Sequence, residues 1–190
     1  MSSAMAELFE FETSRLRLRQ WQKSDFESFA ALNADPRVMQ HFPEPLSRQA
    51  SNEMAEKIRT LIKQRGWGFW AVEVKDTEPF IGFCGLHVPI ATLPFSPCVE
   101  IGWRLSSTHW GKGYASEAAR GALHVAFQQL GLSEIVSFTT VGNRRSRRVM
   151  ERIGMNYSGE FEHPGLPERS PLRPHVLYRL QRGQWDVKAC

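Results

Sequence analysis

The sequence lacks the features that mark several large functional classes. No stretch approaches the roughly 20 consecutive apolar residues that span a bilayer, so no membrane partner is expected. The first ten residues have neither the basic start nor the apolar core of a signal peptide. The Walker phosphate loop, the Gly-x-Gly-x-x-Gly dinucleotide fingerprint and the Gly-x-Ser-x-Gly hydrolase motif are also absent. These absences argue against nucleoside triphosphatases, dinucleotide-dependent enzymes and serine hydrolases.

Cysteine is scarce as well. The chain has only Cys84, Cys98 and Cys190, an odd number without metal-ligand spacing. We interpret them as reduced thiols of a cytoplasmic protein, although Cys84 and Cys98 could lie on adjacent strands and form a disulfide. No cluster of His, Cys and Asp has the spacing of a metal site, so no metal is expected.

The composition is that of one ordinary domain. Of the 190 residues, 42% are hydrophobic and 23% are charged. We predict an N-terminal extension at 1–12, a single domain at 13–182 and a C-terminal tail at 183–190. The net charge of +4 is modestly basic, and its densest cluster is Arg144–Arg148. Nucleic-acid binding would need that charge on one face, and we do not expect it.

Apolar periodicity, together with glycine and proline positions, predicts an α+β fold with a mixed, mostly antiparallel sheet. Predicted strands are 15–21, 67–75, 80–88, 98–105, 135–140, 155–162 and 174–180. Predicted helices are 24–32, 47–64, 114–130 and 144–153.

The most informative segment joins the strand ending at Leu105 to the helix beginning at Tyr114. Gly111 and Gly113 flank Lys112, and glycine lets the backbone turn tightly and approach a ligand closely. The helix that follows starts with unpaired N–H groups and partial positive charge, which suits a pyrophosphate. The alternative is a turn whose two glycines serve geometry alone.

Three blocks of sequence resemble the GNAT superfamily of acyl-CoA N-acyltransferases, and within it the Rim-type branch of ribosomal-protein N-terminal acetyltransferases. Residues 110–115 match the pyrophosphate loop Gln/Arg-x-x-Gly-x-Gly/Ala, with Trp110 in place of the first residue. Residues 143–155 resemble the Asn-led helix that ends in glycine and a large apolar residue. Residues 13–19 resemble the first strand, and the whole resemblance spans roughly 13–181.

The resemblance implies a central, twisted sheet of about six or seven strands flanked by about four helices. It implies acetyl-CoA as the donor, CoA as the product and direct attack by a primary amine. A bulge in the strand before the loop should free N–H groups for the cofactor. The implied cofactor-binding residues are Trp103, Arg104, Leu105, Trp110, Gly111, Lys112, Gly113, Tyr114, Ala115, Ser116, Asn143 and Arg147. Lys112, Arg144, Arg145 and Arg147 remain alternatives for the 3′-phosphate.

Glu100 is the candidate general base. It lies two residues before Gly102, where related enzymes often carry an acidic residue, and burial beside a thioester would raise its pKa toward a useful range. A surface glutamate on the polar side of the strand is the alternative.

Ser146 is the candidate acid for the leaving thiol, because Met150 stands where many relatives have a tyrosine and methionine cannot donate a proton. Water could serve instead, or the thiolate could leave unaided. For Asn143, capping of the helix is the alternative to a cofactor contact.

The acceptor wall is predicted from polar groups in the last two strands, His163, His175 and Tyr178, each of which could instead be structural. We expect the acceptor to be an amine. It can belong to a protein N-terminus or to a small molecule, because the loop lengths do not distinguish these two classes. Two alternatives remain: a non-catalytic CoA-binding sensor, and a nucleic-acid or ribosome-associated module using Arg144–Arg148. A homodimer is possible in such folds.

Overall fold

Residues 8–185 are described by the computed structural model of the chain. Their strands form one sheet: β1 (Phe11–Glu12), β2 (Leu16–Arg19), β3 (Phe69–Val74), β4 (Glu78–His87), β5 (Glu100–Leu105), β6 (Glu134–Thr140), β7 (Asn156–Glu162) and β8 (Pro174–Gln181). The spatial order is β1-β2-β3-β4-β5-β6-β8-β7. Every neighbouring pair is antiparallel except β5 and β6, which run parallel. The predicted mixed, mostly antiparallel α+β sheet is confirmed.

The α-helices of the described chain are α1 (Asp25–Ala34), α2 (Pro36–Met39), α3 (Arg48–Arg65), α4 (Tyr114–His124) and α5 (Arg144–Arg152). A π-helical turn, Val125–Gln129, continues α4. Pro36 begins α2, because proline suits a first helical position. The Asp35 side chain accepts a hydrogen bond from the Arg37 N–H at 2.9 Å and so caps this short helix.

The first strand lies inside the predicted N-terminal extension. β1 pairs with β2, and Phe11 packs edge-on against Trp70 with 5.2 Å between ring centroids. Because β1 has two residues, it is too short to show the alternation by which strands are recognised. The sheet therefore has eight strands, one more than the upper figure expected. Most of the predicted C-terminal tail, with Cys190, lies outside the described residues.

The sheet separates two apolar layers. On one face, Ile101 and Leu105 of β5 join the core beneath α4 and α5. On the other face, Phe83 of β4 joins a second core with α1 and α3. Because side chains alternate along a strand, Glu100, Gly102 and Arg104 face the α1/α3 side. β5 thus presents polar residues to one layer and apolar residues to the other.

The structure can be compared with the sequence-based expectations about membrane helices, metal sites and cysteines. In the described part of the chain, no helix is both long and apolar enough to cross a membrane. Within residues 8–185, no group of three or more His, Cys, Asp or Glu side chains could hold a metal ion. Cys84 is buried and unbridged, and burial raises the pKa of its thiol, while Cys98 is also a free thiol.

A buried ion cluster ties the edge of the sheet to α1. The Arg19 and Asp25 side chains are 8% and 2% exposed, and they form two parallel hydrogen bonds of 2.9 Å. Arg19 Nε also donates to Glu73 at 2.9 Å. A paired, buried guanidinium is tolerated in the interior, whereas an unpaired one is strongly unfavourable.

Removal of Asp25 should therefore destabilise the domain. We expect Asp25→Ala to lower the free energy of unfolding by about 3 kcal/mol, because Arg19 stays buried with only Glu73 as a charged partner. Urea denaturation followed by circular dichroism measures the change. Glu12→Ala, which removes exposed ion pairs with Arg17 and Lys75, is the matched control and should have little effect. Equal effects of both substitutions would contradict this account.

Candidate active site

The candidate site begins where β5 and β6 part. The two strands share a single register pair, Glu100 with Val136, next to a hydrogen bond from Val136 N–H to the Val99 carbonyl at 3.0 Å. Ser137 Oγ donates to the Ile101 carbonyl at 2.9 Å, and no ladder pair joins the strands beyond it. On its other edge β5 stays paired with β4 along its whole length. The edge of β5 that faces β6 therefore has backbone groups available to a ligand.

A cleft of about 660 Å³ opens at this divergence. Its walls come from β5, the end of β6, the glycine loop before α4, the first two turns of α5, the α2–α3 loop and the β7–β8 loop. Most of the sequence-predicted site residues line it: Glu100, Trp103, Arg104, Leu105, Trp110, Gly111, Gly113, Tyr114, Ala115, Ser116, Asn143, Ser146, His163 and His175.

Glu100 lies at the apex of the divergence. It is the one carboxylate among the residues that line the cleft, and no side-chain hydrogen bond or ion pair is recorded for it among the described residues. Burial raises its pKa from 4.5 to about 7, since nothing nearby compensates the ionised form. A carboxyl group with this pKa exchanges a proton readily at neutral pH.

The glycine loop has the geometry that an anion site needs. Gly111 and Gly113 have φ angles of 77° and 83°, a left-handed conformation that favours glycine. Gly113 caps α4 without any side-chain hydrogen bond, which leaves the first N–H groups of the helix available. The Lys112 carbonyl accepts a hydrogen bond from Arg15 at 3.0 Å, and the Lys112 side chain is exposed outside the cleft lining. Backbone groups rather than Lys112 thus form the loop's inner surface.

Trp110 has a structural role at the start of this loop. Its indole N–H donates to the Leu105 carbonyl at 2.9 Å, which joins the loop to the end of β5. The Arg145 guanidinium lies 4.4 Å from the centroid of the Trp110 ring. Trp110 therefore holds both the loop and a cation of α5 at the mouth of the cleft.

The arginines of α5 that line the cleft differ from the set that the sequence predicted for the cofactor. Arg145, Arg148 and Arg152 line the cleft, at the i, i+3 and i+7 spacing that places side chains on one helix face. Arg147 instead points away: it donates to the Val141 carbonyl at 3.1 Å and to the Tyr178 hydroxyl at 3.4 Å. The helical spacing groups these three arginines on one face of α5, although it does not show which face lines the cleft.

Tyr178 also lies outside the cleft. It is 2% exposed, and its hydroxyl donates to Glu151 at 3.0 Å. Tyr178 and Arg147 thus form a packing cluster beside α5. This position corrects the expectation that Tyr178 contacts the acceptor and that Arg147 contacts the cofactor.

Asn143 and Ser146 form one hydrogen-bonded unit at the start of α5. The Asn143 side-chain oxygen accepts from the Ser146 N–H at 3.3 Å, which is a helix cap. The Asn143 amide donates to Thr139 Oγ1 at 2.9 Å and to Ser146 Oγ at 3.2 Å. Both amide hydrogens are thereby used, so the hydroxyl hydrogen of Ser146 remains available toward the cleft.

His163 and His175 meet in an aromatic cluster with Phe138 and Phe161. Their ring centroids are 5.0 Å apart, and burial lowers the pKa of both imidazoles. His163 Nδ1 accepts from the Gly165 N–H at 3.1 Å, while His175 Nδ1 lies 3.0 Å from the Arg173 carbonyl. In the neutral forms these contacts leave an Nε2 donor on His163 and an Nε2 acceptor on His175. His41, which sequence reasoning missed, also lines the cleft and pairs with Thr140 at 3.1 Å.

Comparison with known proteins accounts for this geometry. The acetyltransferase (GNAT) domain family matches residues 15–156. The uncharacterised protein YkkB of Bacillus subtilis is 35% identical over 147 residues, which cover 77% of this chain and 84% of YkkB. The FsC-acetyl coenzyme A-N(2)-transacetylase of Aspergillus fumigatus is 31% identical over 188 residues, covering 91% of this chain and 76% of the relative.

Solved structures share the fold. An acetyltransferase of the GNAT family from Bacillus anthracis superposes with a TM-score of 0.77 at 24% identity, covering 92% of this chain and 99% of that one. The ribosomal-protein-S5-alanine acetyltransferase of Vibrio fischeri gives a TM-score of 0.71 at 21% identity, covering 94% and 99%. The expected resemblance and fold are confirmed, and the chain belongs to the GNAT family of acetyltransferases.

Proposed function

We propose that this acetyltransferase transfers the acetyl group of acetyl-CoA to a primary amine by direct attack, with Glu100 as a general base acting through water. The observation that carries the proposal is the position of Glu100, the one carboxylate of the cleft lining, at the point where β5 leaves β6. Its pKa of about 7 suits proton transfer at neutral pH.

In the proposed complex the cofactor lies along the open edge of β5. Its pantetheine amides bond to the backbone of Trp103–Leu105, and the pyrophosphate binds the N–H groups of residues 111–116. Arg145, Arg148 and Arg152 supply positive charge for the phosphates. This arrangement places the thioester toward Glu100 and the nucleotide toward α5.

The need for a base depends on the acceptor. An α-amino group with a pKa of about 7.7–8.0 is roughly a tenth neutral at pH 7, so a weak base acting through water is sufficient. N–H groups of β5 that face β6 stabilise the oxyanion of the tetrahedral intermediate. The thiolate takes a proton from Ser146 or from water, because Met150 is buried and has no proton to donate.

Two classes of acceptor are consistent with the site. One relative is named as an N(2)-transacetylase and one structural neighbour as a ribosomal-protein-S5-alanine acetyltransferase. We therefore keep a small-molecule amine and a protein N-terminus as acceptors, with His163 and His175 in the acceptor wall. A cytoplasmic location is part of the proposal and is supported by the free thiols of Cys84 and Cys98.

The proposal is tested by release of free thiol from acetyl-CoA, with N-terminal peptides, amino acids, polyamines and other small amines as acceptors. Amine-dependent release with a matching acetylated product by mass spectrometry supports it. Tight CoA binding without transfer to any amine contradicts it and favours a non-catalytic sensor.

Substitution of Glu100 by glutamine should remove the proposed general base and leave the shape of the cleft unchanged. We expect Glu100→Gln to lower kcat roughly 10- to 100-fold at pH 7, because general-base catalysis contributes about 10²–10⁴-fold and the amine is already partly neutral. The wild-type pH profile should show an ionisation near pH 7 from Glu100 in addition to that of the amine, and only the ionisation of the amine should remain in the variant. Glu160→Gln, on the exposed side of β7, is the control. An unchanged pH profile in Glu100→Gln would contradict the assignment.

The same substitution should stabilise the protein at alkaline pH. The folded state holds the Glu100 proton up to about pH 7 whereas the unfolded state releases it near 4.5, so the free energy of unfolding falls as pH rises between these values. We expect Glu100→Gln to raise the free energy of unfolding by about 1–3 kcal/mol at pH 8. Near pH 4.5 the variant and wild type should be equal. Urea denaturation at both pH values measures this difference, and an equal gain at both would be inconsistent with titration of Glu100.

The glycine loop allows a test with a matched control. Gly111 and Gly131 both have positive φ angles, both are exposed, and a Cβ on either would meet nothing within 4 Å. Alanine at either position carries the same strain of about 1–2 kcal/mol. We expect Gly111→Ala to weaken CoA binding about tenfold by calorimetry, because the loop N–H groups lose their orientation. Gly131→Ala should leave the dissociation constant unchanged. Equal affinity in the two variants would exclude the loop from phosphate binding.

A further inference from the structure

The Arg104 side chain has an unusual environment. Its Nη1 donates to Asn33 Oδ1 at 2.7 Å, and its guanidinium lies 4.1 Å from the centroid of the Phe42 ring and 5.5 Å from that of Phe83. Its Nε is fully buried and has no hydrogen-bond partner. Among the described residues, Arg104 forms no ion pair with a carboxylate. Its other polar contact within the described part of the chain is to the Met54 sulfur at 3.9 Å.

A guanidinium in such surroundings is costly to the folded protein. Burial lowers the pKa of Arg104 to about 10, and the neutral amide of Asn33 does not balance its charge. Buried arginines are normally paired with an anion, often through two parallel hydrogen bonds. Arg104 lines the cleft, and within residues 8–185 its Nη2 makes no hydrogen bond and is not one of the fully buried unpartnered atoms, so an anionic ligand in the cleft can supply the missing partner.

The position of Arg104 separates it from the region proposed for the cofactor. Although its backbone lies along β5, its side chain extends to the α1/α3 face and contacts α1 and the α2–α3 loop. Arg145, Arg148 and Arg152 belong to α5, on the opposite side of the sheet. Cofactor phosphates bound by α5 therefore leave Arg104 without an anion.

Glu100 lies on the same face of β5 as Arg104. The two residues are four positions apart, which corresponds to about 13 Å along a strand. Gly102 lies between them, and a Cβ there would meet the Phe69 ring at 3.3 Å. The path from Glu100 to Arg104 thus runs over a glycine and past aromatic rings, which suits the apolar part of a small molecule.

We propose that Arg104 binds a carboxylate of the acceptor, so that the substrate is a small molecule that carries both a primary amine and a carboxylate. This inference rests on the proposed function and specifies its acceptor. Once Arg145, Arg148 and Arg152 are assigned to the cofactor phosphates and Arg37 is paired with Asp35, Arg104 is the remaining arginine of the described cleft lining, and its charge suits a carboxylate better than a second ammonium group. Arg104 acts here in substrate binding, while Glu100 acts on the amine.

The test compares acceptors that differ only in charge. α-Amino acids, ω-amino acids of two to eight carbons and dipeptides are assayed by thiol release, each against its carboxamide. We expect kcat/KM to be at least tenfold higher for the best carboxylate than for its carboxamide. This ratio is measured on the wild-type protein and requires no folded variant.

Arg104→Gln and Arg104→Lys then identify the group that recognises the carboxylate. Arg104→Gln should raise KM for the carboxylate at least tenfold and raise KM for the carboxamide much less, so that the preference of the wild-type protein for the carboxylate is lost. Arg104→Lys, which keeps the charge but loses the planar fork, should give an intermediate KM.

The possible failures can be distinguished. Equal wild-type activity on carboxylates and carboxamides overturns the inference and leaves amine acetylation standing. Equal loss on both in Arg104→Gln indicates a structural role and also overturns it. Absence of transfer to every amine contradicts the proposed function itself, and the inference falls with it.

Discussion

β5 and β6 run parallel, and their ladder has a single register pair, Glu100 with Val136. If the ladder continued, β6 would fill the space that now forms the cleft, and the free edge of β5 would have no N–H groups for a ligand. The same divergence exposes Glu100 to the cleft while the surrounding strands keep it from bulk water. The proposed binding of the donor follows from this one interruption, while the raised pKa of Glu100 follows from its burial among the surrounding strands.

The site is electrostatically unfavourable without its ligands. Within residues 8–185, Glu100 has no cationic partner and Arg104 has no anionic one, although the two lie on the same face of one strand. Elsewhere the protein pairs its buried charges, as Arg19 and Asp25 show. The contrast indicates that the unpaired charges of the cleft are there for ligands, at a cost to stability that the two apolar layers offset.

Much of the fold was predictable because its signals are local. The glycine loop and the cap that the sequence offered at Asn143 depend on neighbours in sequence, and the structure has both. The positions of individual side chains were harder to predict. Arg147 and Arg145 are two positions apart on α5, and only the packing of the helix decides which one faces the cleft. For Arg104 the sequence predicted a cofactor contact from the backbone alone. The surroundings of its side chain come from α1 and the distant α2–α3 loop, which the local sequence does not show.

The central claim is that acetyl-CoA enters between β5 and β6 with its thioester beside Glu100. A crystal structure of the protein with bound CoA tests this directly. We expect the pyrophosphate to bind the N–H groups of residues 111–116 and the pantetheine to lie along Trp103–Leu105. The sulfur should lie where β5 separates from β6, beside Glu100. CoA bound on another surface, or with its sulfur far from Glu100, would contradict it.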